Sequence, residues 1–395
     1  MAQGGSITVF GDRGVVMSSV IGWDIGGAHV KACLMERGEV VEVAQWACPL
    51  WLGLDRLGAV LAEARARWPG PGLPARQHAV TMTGEMVDLF ANREDGVRGI
   101  AAELARSLAG PEALAAGGAV HFFAGDAGWC GSADVPAQWE AIASANWLAT
   151  ARHAAQQHGN QHCEGVLVDI GSTTTDLIAF RGGRVLTRSR TDAQRLARGE
   201  LVYHGVVRTP LCALAQRIDW QGAPHNVMNE FFATTADVYR LTGELNPAHD
   251  LYPSADNVAK HLPATRQRLA RMVGLDQRDA ADDDWLSFAH QWRRAQVAEL
   301  GAQLRRVMSE HGLGAQACVV SAGCGDFLVG DVLAQAQAAQ STLAAPATGL
   351  RLAAYGRDVA RVSAQARPSR AEVQAWAQVC APCVAVAALF DMERR

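Results

Sequence analysis

Lysine is nearly missing from this chain: of 36 lysines and arginines in 395 residues, only Lys31 and Lys260 are lysine. Arginine serves wherever either residue would do, so a retained lysine is informative, because a compact ammonium differs from a planar fork. No apolar run reaches the roughly 18 residues that a membrane span needs, and no membrane partner is expected. Net charge is −4 with 19% charged residues, which excludes the broad basic field of a nucleic-acid binder. The nine cysteines (33, 48, 130, 163, 212, 318, 324, 380 and 383) are scattered through a chain that is 49% hydrophobic. A chain with a full core does not need a disulfide framework, and the pattern reads as reduced thiols in a cytoplasm. The opening MAQGGSITVFGDRGVV lacks the cationic start and apolar stretch of a signal peptide. Residues 1–19 are expected to be a disordered start or an extension, with the fold beginning near Val20.

What is present is one strand–turn–strand phrase written twice. Residues 20–41 read VIGWDIGGAHVKACLMERGEVV and residues 166–186 read VLVDIGSTTTDLIAFRGGRVL. Placing Asp24 on Asp169 also places Gly26 on Gly171, Gly38 on Gly183 and Val40 on Val185. The offset is 169 − 24 = 145 residues, a domain's length and far more than a solenoid repeat. An apolar strand, an aspartate at its end and a glycine-bearing turn present backbone N–H groups and one carboxylate to a phosphate chain. Two facing copies predict a phosphate ligand clamped between related halves.

The rest of the chain alternates as an α/β protein does. In the first half, 54–68 has helical spacing and stops at Pro69-Gly-Pro-Gly. HAVTMTG (78–84) and AVHFFAG (119–125) read as strands, and EMVDLFANREDGVRGIAAELARSL as one or two helices. An amphipathic helix spans 143–159 and stops at Gly159. In the second half, RTPLCALAQRI and 226–245 are expected to be helical, 246–257 a loop, and 264–273 and 284–311 helices. ACVVSAGCGDFLVGDVLAQA (317–336) reads as strand, glycine loop and helix, and 348–356 as a last strand before a terminal helix. Asp282-Asp283-Asp284 is read as the cap of a helix in preference to a metal site. Cys380-Ala-Pro-Cys383 is read as small residues in a core helix containing a proline, in preference to a redox pair. The domain boundaries expected are 20–164 and 165–395, with a helical insertion at about 205–312 and a terminal helix that can return to the first half.

The candidate site residues follow from the hairpins. Asp24 and Asp169 end their strands and offer hard oxygens to Mg²⁺ bridging phosphate oxygens. Gly26, Gly27 and Gly171 let a phosphate approach the backbone, and Ser172, Thr173 and Thr174 add hydroxyls. Lys31, on the returning strand, can reach the same phosphates. Ser321-Ala-Gly-Cys-Gly-Asp326 follows the second hairpin by about 150 residues, and its Gly323 and Gly325 are a third candidate for phosphate contact.

Two Asp-Gly hairpins plus a distal glycine loop resemble the actin/Hsp70/sugar-kinase superfamily, which implies two duplicated ribonuclease-H-like domains with a cleft between them. Within it, VLVDIGSTTTDLI resembles the hydantoinase/oxoprolinase branch. TMTGEMVDLF, ANWLATA, GELVYHGVVRTP, FATTADVYRLTGEL and RLARMVGLD are similar to small hydantoinase-related proteins of tetrahydromethanopterin-linked one-carbon metabolism. That resemblance implies a transferase of methanofuran-type cofactor biosynthesis. It would condense an (aminomethyl)furanylmethyl diphosphate with the phenol of γ-glutamyltyramine, forming an ether and releasing diphosphate. Asp169, Lys31 and Glu85 are the expected catalytic residues, with Asp88 and His204 as further candidates for a base. Arg208 and His204 are expected at the substrate, Arg208 on the glutamyl carboxylate. The alternatives are an ATP-dependent amidohydrolase, a small-molecule kinase and a non-catalytic nucleotide-binding protein, so the sequence leaves open whether ATP enters the clamp. It also leaves homo-oligomerisation open. The first loop, GGAHV, lacks the serine or threonine common in the wider superfamily.

Overall fold

The computed structural model describes residues 19–68, 76–108, 120–158, 163–314, 316–338 and 351–394. The opening extension, the stops at 69–72 and 159, and the starts of the segments at 119 and 348 lie outside these. The first sheet contains β1 (Ser19–Ile25), β2 (His29–Glu36), β3 (Glu39–Ala47), β4 (Gln77–Met82), β5 (Val120–Phe123) and β6 (Trp129–Cys130), in the order β3-β2-β1-β4-β5-β6. β1, β4 and β5 run parallel, while β1, β2 and β3 form an antiparallel meander. The second sheet contains β7 (Glu164–Ile170), β8 (Thr175–Arg181), β9 (Arg184–Val185) and β10 (Leu201–Val202). A separate two-stranded hairpin follows, β11 (Arg217–Trp220) with β12 (Ala223–Asn226), and β13 (Cys318–Ala322) and β14 (Arg351–Ala354) complete the second sheet. Its order is β10-β8-β7-β13-β14, with β9 also on β8. A three-strand meander continued by two parallel strands is the ribonuclease-H-like arrangement. The chain makes it twice.

Side-chain alternation along the strands assigns three layers of core. Ile21, Trp23 and Ile25 pack outward with the helices Asp55–Arg67 and Arg93–Leu108. Val166, Val168 and Ile170 pack outward with the helix Asp282–Glu310. The inner faces, with Val20, Cys33, Leu167 and Ile178, meet a shared central core. Two helices fill it. Asn146–His158 lies against β8 and β9 of the second sheet, and Ala381–Glu393 lies against β1, β2 and β4 of the first. Residues 381–391 are buried without exception, as a helix that is apolar all round must be. Its close approach needs Gly22, where an added Cβ would stand 2.0 Å from the Cys383 carbonyl oxygen.

Three expectations need correction. The terminal segment forms two helices, Arg370–Val379 and Ala381–Glu393, bent by 100° where Pro382 opens the second. Among the described residues no single helix is long and apolar enough to cross a membrane. In 208–218 only Leu211–Leu214 is helical. The chain then enters β11, which turns on Gln221 (φ 51°) and Gly222 (φ 82°), the two positive-φ residues of a tight hairpin. In 226–245 the helix is confined to Thr235–Leu241, because Thr234 and Asp237 start it there: the Thr234 N–H donates to the Asp237 carboxylate at 3.1 Å. The acidic run opens a helix as expected, the Ala281 N–H donating to Asp284 at 3.1 Å.

Candidate active site

The alternation that buries Ile21, Trp23 and Ile25 on the outer face puts Val20, Gly22 and Asp24 on the inner one. In β7 it does the same for Gly165, Leu167 and Asp169. Both aspartates therefore look inward at the strand ends, and both line a cleft cavity of 280 Å³. Cross-strand register sets their neighbours. Asp24 is paired with Lys31, and Asp169 with Asp176. Lys31 and Asp176 are equivalent in the repeat (176 − 31 = 145), so one half presents an acid and a base and the other presents two acids.

The hairpin loops are closed alike, Gly26 N–H to His29 O at 2.9 Å and Gly171 N–H to Thr174 O at 2.8 Å. In the first loop the Gly27 carbonyl accepts from Leu50 N–H at 3.1 Å. In the second, the Ser172 carbonyl accepts from Val207 N–H at 3.0 Å and Arg208 N–H at 2.8 Å. The C=O and N–H of a trans peptide point opposite ways. The N–H groups of Ala28 and Thr173, which share those peptides, are thus turned to the cavity that both residues line. Two such amides, one from each hairpin, bordering one space can form an anion cradle.

The GELVYHGVVRTP segment is the back-plate of the second loop. Thr175 Oγ1 donates to the His204 carbonyl at 2.6 Å, and Gln296 Nε2 donates to the Gly205 carbonyl at 3.0 Å. A Cβ on Gly205 would stand 2.4 Å from Ser172 C and Thr173 N. Gly205→Ala is therefore expected to destabilise the protein by about 1–3 kcal/mol through overpacking and, if the cavity takes the phosphate ligand expected from sequence, to weaken its binding by displacing the Thr173 amide. Urea denaturation and calorimetric titration with diphosphate measure the two effects.

Burial and mutual charge govern the centre. Lys31 Nζ lies 4.0 Å from Asp24 Oδ2 and donates to the Val379 carbonyl at 3.4 Å. Burial pulls the ammonium down, but Asp24, Cys380, Asp169 and Cys324 outweigh it and hold Lys31 above its usual range. Asp24 is raised by burial against the pull of Lys31, with Asp176 adding to the rise. Its Oδ1 is buried without a hydrogen-bond partner. Asp169 is pushed up to about 7, first by burial, then by Asp176, against Lys31. Asp176 is also raised by burial, while Arg195, its buried ion-pair partner, opposes the rise. Arg195 also holds Asp192 at 2.7 Å and stacks on Trp147.

Ten of the residues expected from sequence line this cavity: Asp24, Gly26, Gly27, Lys31, Asp169, Gly171, Ser172, Thr173, Thr174 and Arg208. Four do not. Gly323 N–H donates to Gln378 O and Gly325 N–H to Ile170 O, both at 2.8 Å, so these amides serve the fold and Cys324 alone of that loop reaches the cavity. His204 supports the loop through its carbonyl. Glu85 is buried behind the wall, and Asp88 is exposed and outside the lining. The cysteine pair lies in the core with both thiols raised by burial, Cys380 to about 12, which suits packing and not redox exchange.

Sequence reasoning missed the aromatic pair packed against Arg208. The Arg208 guanidinium lies over Trp51 at 5.6 Å and Tyr252 at 5.9 Å. Tyr252 donates to the Ala28 carbonyl and meets the His29 ring edge-on at 5.2 Å. His29 is lowered to about 3 by burial, then by Lys31, Arg208 and His249. Trp51 and Tyr252 come from separate halves, and no local spacing announces their meeting. Asp176 and Arg195 were also missed, though the 145-residue offset carried a signal for Asp176.

Comparison with known proteins adds the following. The pattern of the hydantoinase/oxoprolinase family matches residues 76–366. A protein of Methanocaldococcus jannaschii named (4-{4-[2-(gamma-L-glutamylamino)ethyl]phenoxymethyl}furan-2-yl)methanamine synthase is 27% identical over 314 residues, 80% of this chain and 88% of that one. A protein of Methanococcus vannielii with the same name is 26% identical over 179 residues, 45% of this chain and 78% of that one. Among solved structures, nucleotide-free acetone carboxylase superposes with a TM-score of 0.49 at 12% identity, covering 79% of this chain and 66% of the other.

Proposed function

We propose that this chain, which belongs to the hydantoinase/oxoprolinase family, is a transferase of methanofuran-type cofactor biosynthesis that forms an ether and releases diphosphate. Its substrates in this reading are an (aminomethyl)furanylmethyl diphosphate and the phenol of γ-glutamyltyramine. The names of the two relatives describe the ether such a condensation yields. The observation that carries the reading is the pair of hairpin loops, with Ala28 and Thr173 lining one cavity together with Asp24, Lys31 and Asp169. Those groups are arranged for the charge that develops on a departing diphosphate. Both glycine amides of the distal loop are engaged within the protein, which favours a substrate diphosphate over a nucleotide held by that loop.

Mg²⁺ fits the same place. Asp24 Oδ1 is buried and unpartnered, and Asp169 faces the same cavity. Among the described residues no group of three or more His, Cys, Asp or Glu side chains converges on one point. Mg²⁺ is commonly held by one or two carboxylates with substrate phosphates and water completing its shell. Bound there, it would neutralise leaving-group charge. The protein's own part is to hold the diphosphate on two amides and Lys31, and to align the methylene carbon with the phenol.

Incubation with the furanylmethyl diphosphate tests this reading: diphosphate release should depend on γ-glutamyltyramine. ADP formation from ATP, with no phenol-dependent diphosphate, would replace it with a hydrolase or kinase. Arg208, which lines the cavity with its guanidinium over the packed Trp51 and Tyr252 rings, would hold the glutamyl carboxylate in this reading. Arg208→Ala should raise the KM for γ-glutamyltyramine by about 10-fold or more, the loss of a charge-assisted hydrogen bond, and leave diphosphate affinity unchanged.

A further inference from the structure

The cavity wall beside the first hairpin contains a serine in an unusual setting. Ser144 stands between the helices Val135–Ile142 and Asn146–His158 with φ at 50°, a region that few non-glycine residues adopt. It is 5% exposed and lines the cavity with Met86 and Val87. Val87 closes on the hairpin itself, its Cγ1 lying 2.7 Å from where a Cβ on Gly27 would sit. Behind Ser144 lies Glu85, 1% exposed. Ser144 Oγ donates to Glu85 Oε1 at 2.6 Å, and Arg93 Nη2 reaches Ser144 Oγ at 3.1 Å and Glu85 Oε1 at 3.3 Å. Glu85 Oε2 has no partner.

We infer that Ser144 and Glu85 form the proton relay of the reaction, with Ser144 touching the phenol and Glu85 accepting the proton through it. The inference rests on the transferase reading. The chemistry balances without a further reactant. The phenol O–H bond breaks as an O–H bond forms at Ser144 Oγ, and the serine's own hydrogen passes to Glu85 Oε1. The phenol oxygen bonds to the furanylmethyl carbon as the C–O bond to diphosphate breaks, and the bonding pair leaves on the diphosphate. A carboxylate buried behind the wall cannot meet the phenol directly, and the serine supplies the missing contact. Burial raises the Glu85 carboxyl, which favours its taking up a proton, while the Ser144 and Arg93 hydrogen bonds oppose the rise. The other charged groups facing the cavity are Asp24, Lys31, Asp169, Asp176, Asp192, Arg195 and Arg208, with the titratable rings of His29 and His249.

A purely structural Ser–Glu–Arg cluster predicts different behaviour, and three variants separate the two. Glu85→Gln keeps a hydrogen-bond acceptor for Ser144 but accepts no proton. It should lower phenol-dependent diphosphate release by about 10²- to 10⁴-fold, the usual contribution of general acid–base catalysis, and leave diphosphate affinity unchanged. Ser144→Gly removes the hydroxyl and suits the positive φ, so it should lose activity without losing stability. Ser144→Ala should match it in rate. The decisive readout is a γ-glutamyltyramine analogue whose phenol is made acidic by a nitro group and is already ionised at the assay pH. With it, Glu85→Gln and wild type should react at rates within a few-fold of each other. An equal loss with both phenols, or near-normal turnover of the ordinary phenol in either variant, overturns the relay. Wild-type protein that releases no phenol-dependent diphosphate overturns the transferase reading, and the relay with it.

Discussion

Asp169→Asn is expected to lower turnover by on the order of 10²-fold, about 3 kcal/mol in the barrier, and to make the metal-free protein more stable at pH 8. The two effects have one cause. Asp169 sits in the cleft with its carboxyl pushed up to about 7 by burial and by Asp176 beside it, against the pull of Lys31. Its folded value lies above the ordinary carboxylate value, so the folded state holds the proton more tightly than the unfolded chain does. The resulting stability is fully present below about pH 4 and is lost as pH rises to about 7. An asparagine has no such loss. Denaturation at pH 4.5 should show little difference between variant and wild type, and at pH 8 the variant should be the more stable. On the proposed reaction turnover reverses the order, because the charge that strains the folded protein is the one that would suit Mg²⁺ and a departing diphosphate. Metal-dependent stabilisation should be present in the wild type and weakened in the variant. A variant that retains near-normal turnover would remove Asp169 from the mechanism.

That trade between stability and function also explains which features were readable in the sequence. A strand that ends in aspartate and turns on glycine is a local pattern, and its recurrence at one offset reports a duplicated fold. The hairpins, both aspartates and Lys31 follow from that pattern alone, and strand alternation supplies their inward aim. The failures are those of tertiary context. The segment 226–245 has helical composition, but only the part after the Thr234 cap is helical, and the tight turn at Gln221-Gly222 ends the neighbouring helix early. Gly323 and Gly325 look like phosphate ligands in one dimension. In three, their amides are satisfied by Ile170 and Gln378, and the glycines allow the loop to pack against β7. Glu85 sits in a motif that suggests chemistry, yet its route to the cavity runs through Ser144, 59 residues away. The Trp51–Arg208–Tyr252 cluster unites three distant segments and has no local signature.

Lys31→Met is expected to impair stability and turnover together, and a second substitution should separate them. The Lys31 ammonium stands 4.0 Å from Asp24 and 3.4 Å from the carbonyl of Val379, the last residue of the helix Arg370–Val379. It thus neutralises one acid and meets the negative end of a helix dipole at the bend before the central helix. Removing one partner of a fully buried pair costs about 3–5 kcal/mol. The Lys31 side chain is 22% exposed toward the cleft, so about 2 kcal/mol is the better expectation for this pair. The deficit has a pH signature. Asp24 is already raised by burial, and without Lys31 it rises further. The loss of stability is then small where Asp24 is protonated in both states, and it grows as pH rises through the folded value. Turnover should fall by about 10²- to 10³-fold, as when a transition-state donor is removed. Lys31→Arg should restore little of it, since a planar fork does not fit between Asp24 and Val379 as a compact ammonium does. The double variant Lys31→Met with Asp24→Asn no longer buries an unpaired carboxylate. Its stability should return toward wild type at pH 8 while its turnover stays as low as that of either single variant. If turnover recovered along with stability, Lys31 would be a partner to Asp24 and nothing more. The repeat supplies the reason to expect otherwise. The second half carries Asp176 at the equivalent place, and the fold neutralises that acid with Arg195, so a lysine at position 31 is not a requirement of the hairpin itself. In a chain with two lysines, a cation that one copy of the hairpin has and the other lacks is the one we propose to meet the ligand.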